Sequence, residues 1–243
     1  ALTSHHGLPA PEEDEPENFP DLDPGVARAD KVGTTVLEAH TKDVLSLVLI
    51  EPLPNGNARG STSIASGSED GTIRVWDLGP AGALPANTAT LQNHKGAVRA
   101  LATFATQDNR WLVSGGCDKT VRLWKNDGAQ WKWEQTLRGH TDDINTVAVV
   151  RSSSTANLLA SGGDDMSIRL WAETDSVWQC VGMCRSRTLW VTAVQDLAND
   201  DDESLLAAAD GDGGISVWSL EPRSGASGLE LEPKRKGALV GHK

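Results

Sequence analysis

The chain has 243 residues, with 34 Asp and Glu against 22 Lys and Arg for a formal charge of −12, and 38% apolar residues, enough for a sizeable core. No run of 18 apolar residues occurs, so no membrane span is expected. Three cysteines (Cys117, Cys180, Cys184) do not make a disulfide framework and suit a reducing, cytoplasmic or nuclear setting, and the acidic balance speaks against a general grip on nucleic acid.

Residues 1–32 hold eight acids (Glu12, Glu13, Asp14, Glu15, Glu17, Asp21, Asp23, Asp30) against Arg28 and Lys31, with prolines at 9, 11, 16, 20 and 24. So little apolar surface cannot offset the entropy of ordering, and the segment is expected to be a disordered acidic arm. Residues 33–243 are expected to be one repeat region. SIASGSEDGTIRVWD (63–77), WLVSGGCDKTVRLWK (111–125), LLASGGDDMSIRLWA (158–172) and LLAAADGDGGISVWS (205–219) superimpose without gaps, and Trp76, Trp124, Trp171 and Trp218 fall 48, 47 and 47 residues apart. Upstream of each lies a second block: LEAHTKDVLSLVL (37–49), LQNHKGAVRALAT (91–103), LRGHTDDINTVAV (137–149) and a degraded MCRSRTLWVTAVQ (183–195). The sequence stops on LVGHK (239–243), the opening of a fifth such block.

Within a unit, Ile73 and Val75, Val121 and Leu123, and Ile168 and Leu170 alternate with Arg74, Arg122 and Arg169, the period of a β-strand. The Trp that follows lies on the opposite face, so both faces of each sheet need cover. Short strands joined by turns such as Glu69-Asp70-Gly71 therefore suggest small sheets stacked side by side.

These units resemble the WD40 repeat family. Trp76-Asp77 is a literal Trp-Asp, and Gly139-His140 and Gly241-His242 are literal Gly-His pairs. The resemblance implies an all-β WD40-type β-propeller, with four recognisable repeats (37–77, 91–125, 137–172, 183–219) and the start of another. Seven blades are common in such rings, so the rest of the ring is expected either outside this sequence or from a second chain.

Three units carry His, Ser and Asp in register: His40, Ser66, Asp70; His94, Ser114, Asp118; His140, Ser161, Asp165. A catalytic triad is needed once per site, whereas a structural tie is needed once per repeat, so the multiplicity favours structure. The resemblance implies a buried network in which the indole six residues after the Asp (Trp76, Trp124, Trp171) joins hydroxyl, imidazole and carboxylate. In the fourth unit Arg187 and Ala208 replace His and Ser while Asp212 and Trp218 remain. That unit is expected to be the loosest, with Arg187 as a direct partner for Asp212. No zinc-ligand spacing and no phosphate-binding loop are present, so no metal and no cofactor are expected. Trp131 and Trp133 beside Lys125 and Lys132 read as a hairpin covering a sheet edge.

The resemblance also implies a partner-binding rim. Carried over by position, it comprises Asp43, Leu45 and Glu69 in the first unit, Ala97, Arg99 and Cys117 in the second, Asp143, Asn145 and Asp164 in the third, and Trp190, Thr192 and Gly211 in the fourth. Four carboxylates and one aromatic suit a basic protein or peptide. The expected function is a non-catalytic interaction scaffold or adaptor within a multiprotein complex. The alternative is a substrate-recognition part of a larger enzyme such as a ubiquitin-ligase assembly, weakened because Gly79 stands where some such receptors carry a basic residue. An enzyme in its own right is disfavoured, since no nucleophile or carboxylate with a neighbouring base lies outside the repeat pattern.

Overall fold

The computed structural model describes residues 26–29, 35–50, 53, 62–80, 83–150, 158–186, 189–197, 204–222 and 229–240. Among the described residues every regular element is a strand. A short ribbon pairs β1 (Val26–Ala29) with β2 (Thr35–Glu38) in antiparallel register. β1 falls within the tract expected to be a disordered arm, so at 26–29 the observed element differs from that expectation. The rest of 1–32 lies outside the described residues.

Four antiparallel four-stranded sheets follow, each built from strands consecutive in the chain. Blade 1 contains β3 (Val44–Ile50), β4 (Ser63–Ser68), β5 (Thr72–Asp77) and β6 (Ala86–Gln92). Blade 2 contains β7 (Val98–Ala105), β8 (Arg110–Gly116), β9 (Val121–Asn126) and β10 (Trp131–Leu137). Blade 3 runs through β11 (Ile144–Val150), β12 (Leu158–Gly163), β13 (Ser167–Thr174) and β14 (Val177–Arg185). Blade 4 runs through β15 (Val191–Leu197), β16 (Leu205–Asp210), β17 (Gly214–Pro222) and β18 (Leu231–Val240). β18 ends just before Gly241-His242, which lie outside the described residues. The sequence unit is therefore offset from the sheet: its first block spans the last strand of one blade and the first strand of the next.

The core lies between blades. Ile73 and Val75 of blade 1 pack in one cluster with Leu112 and Trp124 of blade 2. Val121 and Leu123 meet Leu159 and Trp171 of blade 3, and Ile168 and Leu170 meet Leu206 and Trp218 of blade 4. The period-two pattern thus places the aliphatic pair of one blade against the indole of its neighbour. Each such buried side chain contributes about 1.5–3 kcal/mol.

Close approach at these seams depends on a small residue. A Cβ on Gly67, Gly115 or Gly162 would come within 2.7, 2.6 and 2.5 Å of Val98, Ile144 and Val191, the leading aliphatics of the next blade. The same position in blade 4 is Ala209, and Val44, the counterpart in blade 1 of those three aliphatics, is 50% exposed.

Candidate functional site

In blades 1–3 the four-residue set comes together beneath the hairpin turn. His140 Nε2 lies 2.8 Å from Ser161 Oγ, its Nδ1 2.9 Å from Asp165 Oδ2, and Trp171 Nε1 donates to Ser161 Oγ at 2.8 Å. Blade 2 repeats this, with His94 2.8 Å from Ser114 and 3.0 Å from Asp118, and Trp124 donating to Ser114 at 2.9 Å. In blade 1 the distances are 2.8 Å for His40 to Ser66, 3.1 Å for His40 to Asp70 and 3.1 Å for Trp76 to Ser66. An indole N–H can only donate and a carboxylate can only accept, so donation runs from Trp through Ser and His to Asp. The imidazole in this order is neutral, with its proton on Nδ1.

Protonation follows from burial and bonding. Burial holds the His94 and His140 imidazoles below their ordinary range, against the raising pull of Asp118 and Asp165. Desolvation acts to raise the Asp70 carboxyl, but donation from Thr72 and from the Thr41 and Thr72 amides outweighs it, leaving the pKa at about 2. Asp118 and Asp165 are likewise lowered, by His94 and Thr120 and by Ser167 and Thr141.

One member of each network escaped the sequence reading. Thr72, Thr120 and Ser167 donate their hydroxyls to the aspartate two residues earlier, at 2.6, 2.7 and 2.7 Å. The signal was present, since Thr or Ser occupies that place in each of those three units.

Blade 4 is tied differently from expectation. Asp212 is exposed, and the hairpin is held by Asp210, whose carboxylate accepts from the amides of Asp212 at 3.2 Å and Gly214 at 2.9 Å. Ser186 Oγ donates to the other Asp210 oxygen at 3.3 Å. The physical reason is local. With Ala208 offering no hydroxyl and Gly214 none either, a carboxylate two residues earlier satisfies the turn amides itself. Trp218 remains buried at 5% exposure. The expected Arg187–Asp212 contact falls on a residue outside those described.

The rim positions are joined in every blade by one backbone bond. Glu69, Cys117, Asp164 and Gly211 donate their amides to the carbonyls of Asp43, Ala97, Asp143 and Trp190, at 2.9, 2.9, 2.8 and 3.0 Å. Asp43, Leu45, Glu69 and Thr192 are exposed. The rim is less uniformly acidic than its sequence suggests. Arg99 lies 3.4 Å from Asp143 and 3.7 Å from Asp164, and it donates to Asn145 Oδ1 at 2.8 Å. Asn145 in turn donates to Asp164 at 2.6 Å and to the Val191 carbonyl at 3.1 Å, stitching blades 2, 3 and 4. Burial, reinforced by its hydrogen bond to Asp143, pushes the Cys117 thiol up to about 11, so this cysteine is a weak nucleophile at neutral pH.

Beside this cluster is a hollow of about 540 Å³ lined by Arg99, Asn145, Asp164, Trp190 and Thr192. Its aromatic wall is Trp190, 45% exposed. The indole lies across Gly211, where a Cβ would meet ring atoms at 2.5–2.8 Å, so only glycine seats it this way. Among the described residues no group of three His, Cys, Asp or Glu side chains could hold a metal ion.

The family model for the WD domain, G-beta repeat, matches four times, over residues 31–77, 86–125, 131–172 and 178–219. The chain belongs to this family. Its four sheets are WD-repeat blades. Similar proteins include coatomer subunit beta'-2 of Arabidopsis thaliana, 30% identical over 47% of this chain and 11% of that protein. Nuclear distribution protein nudF of Aspergillus flavus is 37% identical over 51% of the chain and 24% of its own length. Ribosome biogenesis protein ytm1 of Aspergillus terreus is 36% identical over 37% and 20% respectively. The WD-repeat chain thus spans less than a quarter of the length of these relatives. No helix among its described residues is long and apolar enough to cross a membrane.

Proposed function

We propose that this chain is a non-catalytic interaction segment of a larger WD-repeat propeller, and that its rim receives a basic segment of a protein partner within a multiprotein assembly. The observation that carries this reading is the Trp190 indole, half exposed and laid over Gly211 on the wall of a hollow that also holds Asp164. An aromatic face beside a carboxylate suits a Lys or Arg side chain through cation–π and charge attraction. Asp43 and Glu69 extend the negative charge along blade 1, while Arg99 already neutralises part of blade 3. The relative whose name makes it a coatomer subunit supports membership of an assembly.

The His, Ser and Asp sets support structure over catalysis. Ser66, Ser114 and Ser161 are at most 3% exposed, and each hydroxyl is capped by an indole N–H. Such a hydroxyl cannot meet a substrate carbonyl. Completion of the ring by further blades is supported by Val44, half exposed where Val98, Ile144 and Val191 are fully buried.

The test is titration of the protein with Arg- and Lys-bearing peptides across a range of salt. Asp143→Lys with Asp164→Lys should weaken binding at least tenfold and flatten its salt dependence, and Trp190→Ala should weaken it further. Unchanged affinity and unchanged salt slope in the double variant would refute the reading.

A further inference from the structure

The three seams between blades share the register of their first two strands but are filled differently. In each, one site at the outer end is formed by the last inward residue of the first strand, its partner on the second strand, and a residue from the last strand of the next blade. Between blades 2 and 3 these are Phe104, Trp111 and Trp178, by the pairings Phe104 with Trp111 and Trp178 with Glu173. The three rings form a plug: Phe104 stacks on Trp111 at 5.6 Å, and Trp178 lies 6.0 and 6.5 Å from them. Gln135 clamps the plug by accepting from the Trp178 amide at 2.9 Å and donating to its carbonyl at 2.7 Å. Between blades 3 and 4, Val150 and Leu158 share one buried cluster with Leu231, which pairs with Pro222 and so stands two residues earlier on its strand than the register position of Trp178, a place taken there by Pro233. There the counterpart of Gln135 is Gly182, over which the Leu231 backbone comes so near that a Cβ would sit 3.0 Å from its carbonyl oxygen.

Between blades 1 and 2 the same register gives Ile50, Ser63 and Trp131, with Ala89 in the place of Gln135. Ser63 is the position of the Trp111 indole, and Ala89 is the position of the clamp. The two small residues leave a hollow of about 400 Å³ lined by Ile50, Ser63, Ala89, Arg110 and Trp131, among others. Trp131 is only partly buried, whereas Trp178 is 3% exposed. The volume is within the range of sites that hold a bound group, of order 300–1,000 Å³. Arg110 lines the hollow, and among the described residues its Nε is buried without a hydrogen-bond partner, as are the Trp111 and Trp178 indole nitrogens of the filled seam. A buried donor left so is costly unless something supplies an acceptor.

We infer that this hollow is a second docking site, distinct from the rim, which takes a large aromatic side chain from an extended segment of a partner protein. The incoming ring stands against Trp131 where the Trp111 indole stands against Trp178 in the next seam. An acceptor of the same segment, a backbone carbonyl or a neighbouring carboxylate, meets Arg110. Filling the site from outside restores the packing that the chain builds for itself one blade further on.

The probe is N-acetyl-tryptophanamide, observed by saturation transfer from the intact protein to its indole protons. Transfer is expected with the natural sequence, and at least a fivefold loss is expected in Ser63→Trp, which fills the hollow from within. Should that variant not fold, Ser63→Leu, the residue blade 3 carries as Leu158, and Ala89→Gln give the same reading with smaller side chains, their folding checked by thermal melts. No transfer to the natural sequence would overturn the assignment. So would transfer left intact by Ser63→Leu and Ala89→Gln, since the probe would then be bound elsewhere.

Discussion

Blade 3 and blade 4 have the same strand order and the same buried tryptophan, yet they hold their hairpins by different means. In blade 3 the turn is tied to the preceding loop by a chain that runs from Trp171 through Ser161 and His140 to Asp165. In blade 4 that chain is replaced by Asp210 with Ser186, and the indole of Trp218 faces Ala208 where a hydroxyl would be. The sheet forms in both cases. Packing of the indole and its aliphatic partners is therefore enough to define a blade, and the polar chain adds a local tie between loop and turn.

The comparison can be broken at its strongest point by removing the indole. Trp171→Ala should cost about 3–5 kcal/mol in denaturant unfolding, through lost packing and loss of the donor to Ser161 Oγ, which keeps only its bond to His140. Trp218→Ala should cost about 1 kcal/mol less, since residue 208 is Ala and no hydroxyl there accepts from that indole. Equal losses would mean that the polar chain adds nothing to the packing. Next in size is His140→Ala, which leaves the Ser161 hydroxyl and the Asp165 carboxylate short of a partner and should cost about 1–3 kcal/mol. Ser186→Ala, its counterpart in blade 4, should cost about 0.5 kcal/mol, as expected for a longer and less buried bond.

Acid should sharpen the contrast. His94 and His140 have folded-state values below their ordinary 6.5, so the unfolded chain takes up protons first and stability falls as pH drops below about 6.5. Asp70, at about 2 when folded against 3.8 ordinarily, adds a further loss as pH falls from about 4 toward 2. Both contributions have the same sign, and none comes from a histidine in blade 4. Thermal melts between pH 7 and 5 should show a shallower decline in His140→Ala than in the natural sequence. The smallest effect concerns the turn itself. Met166 sits at φ 60°, in the left-handed region that glycine enters freely, and Gly71 and Gly213 occupy the same place in blades 1 and 4 at φ 81° and 79°. Met166→Gly should therefore stabilise by about 0.5 kcal/mol in the same unfolding assay.

Much of the architecture was readable because the pattern is local and repeated. The spacing of Trp76, Trp124, Trp171 and Trp218, with alternating aliphatics before each, defines which strands exist and which faces need cover. The columns holding His, Ser and Asp could be aligned for the same reason. What could not be read depends on neighbours distant in sequence. Arg99 looks like one base on an acidic rim until the fold sets it between Asp143 and Asp164. Asp210 and Asp212 are equivalent as letters, and alignment favours Asp212, but the backbone of the turn presents its amides to Asp210. Ser63 and Ala89 are unremarkable small residues until register shows what their counterparts Trp111 and Gln135 fill.

The tip of the second hairpin carries Lys119 at φ 66°, a backbone shape that a lysine adopts at some cost. From there its amine spans to the Thr141 carbonyl at 2.9 Å and toward Asp142 at 3.8 Å, both on the loop that leads into the third blade. Glycine at that tip has no arm to extend. The second and third blades are thus cross-braced at one end of their joint and cemented by three aromatic rings at the other. Under mechanical load or heat, that joint should be the stiff one, and the neighbouring joint between the first and second blades should part sooner.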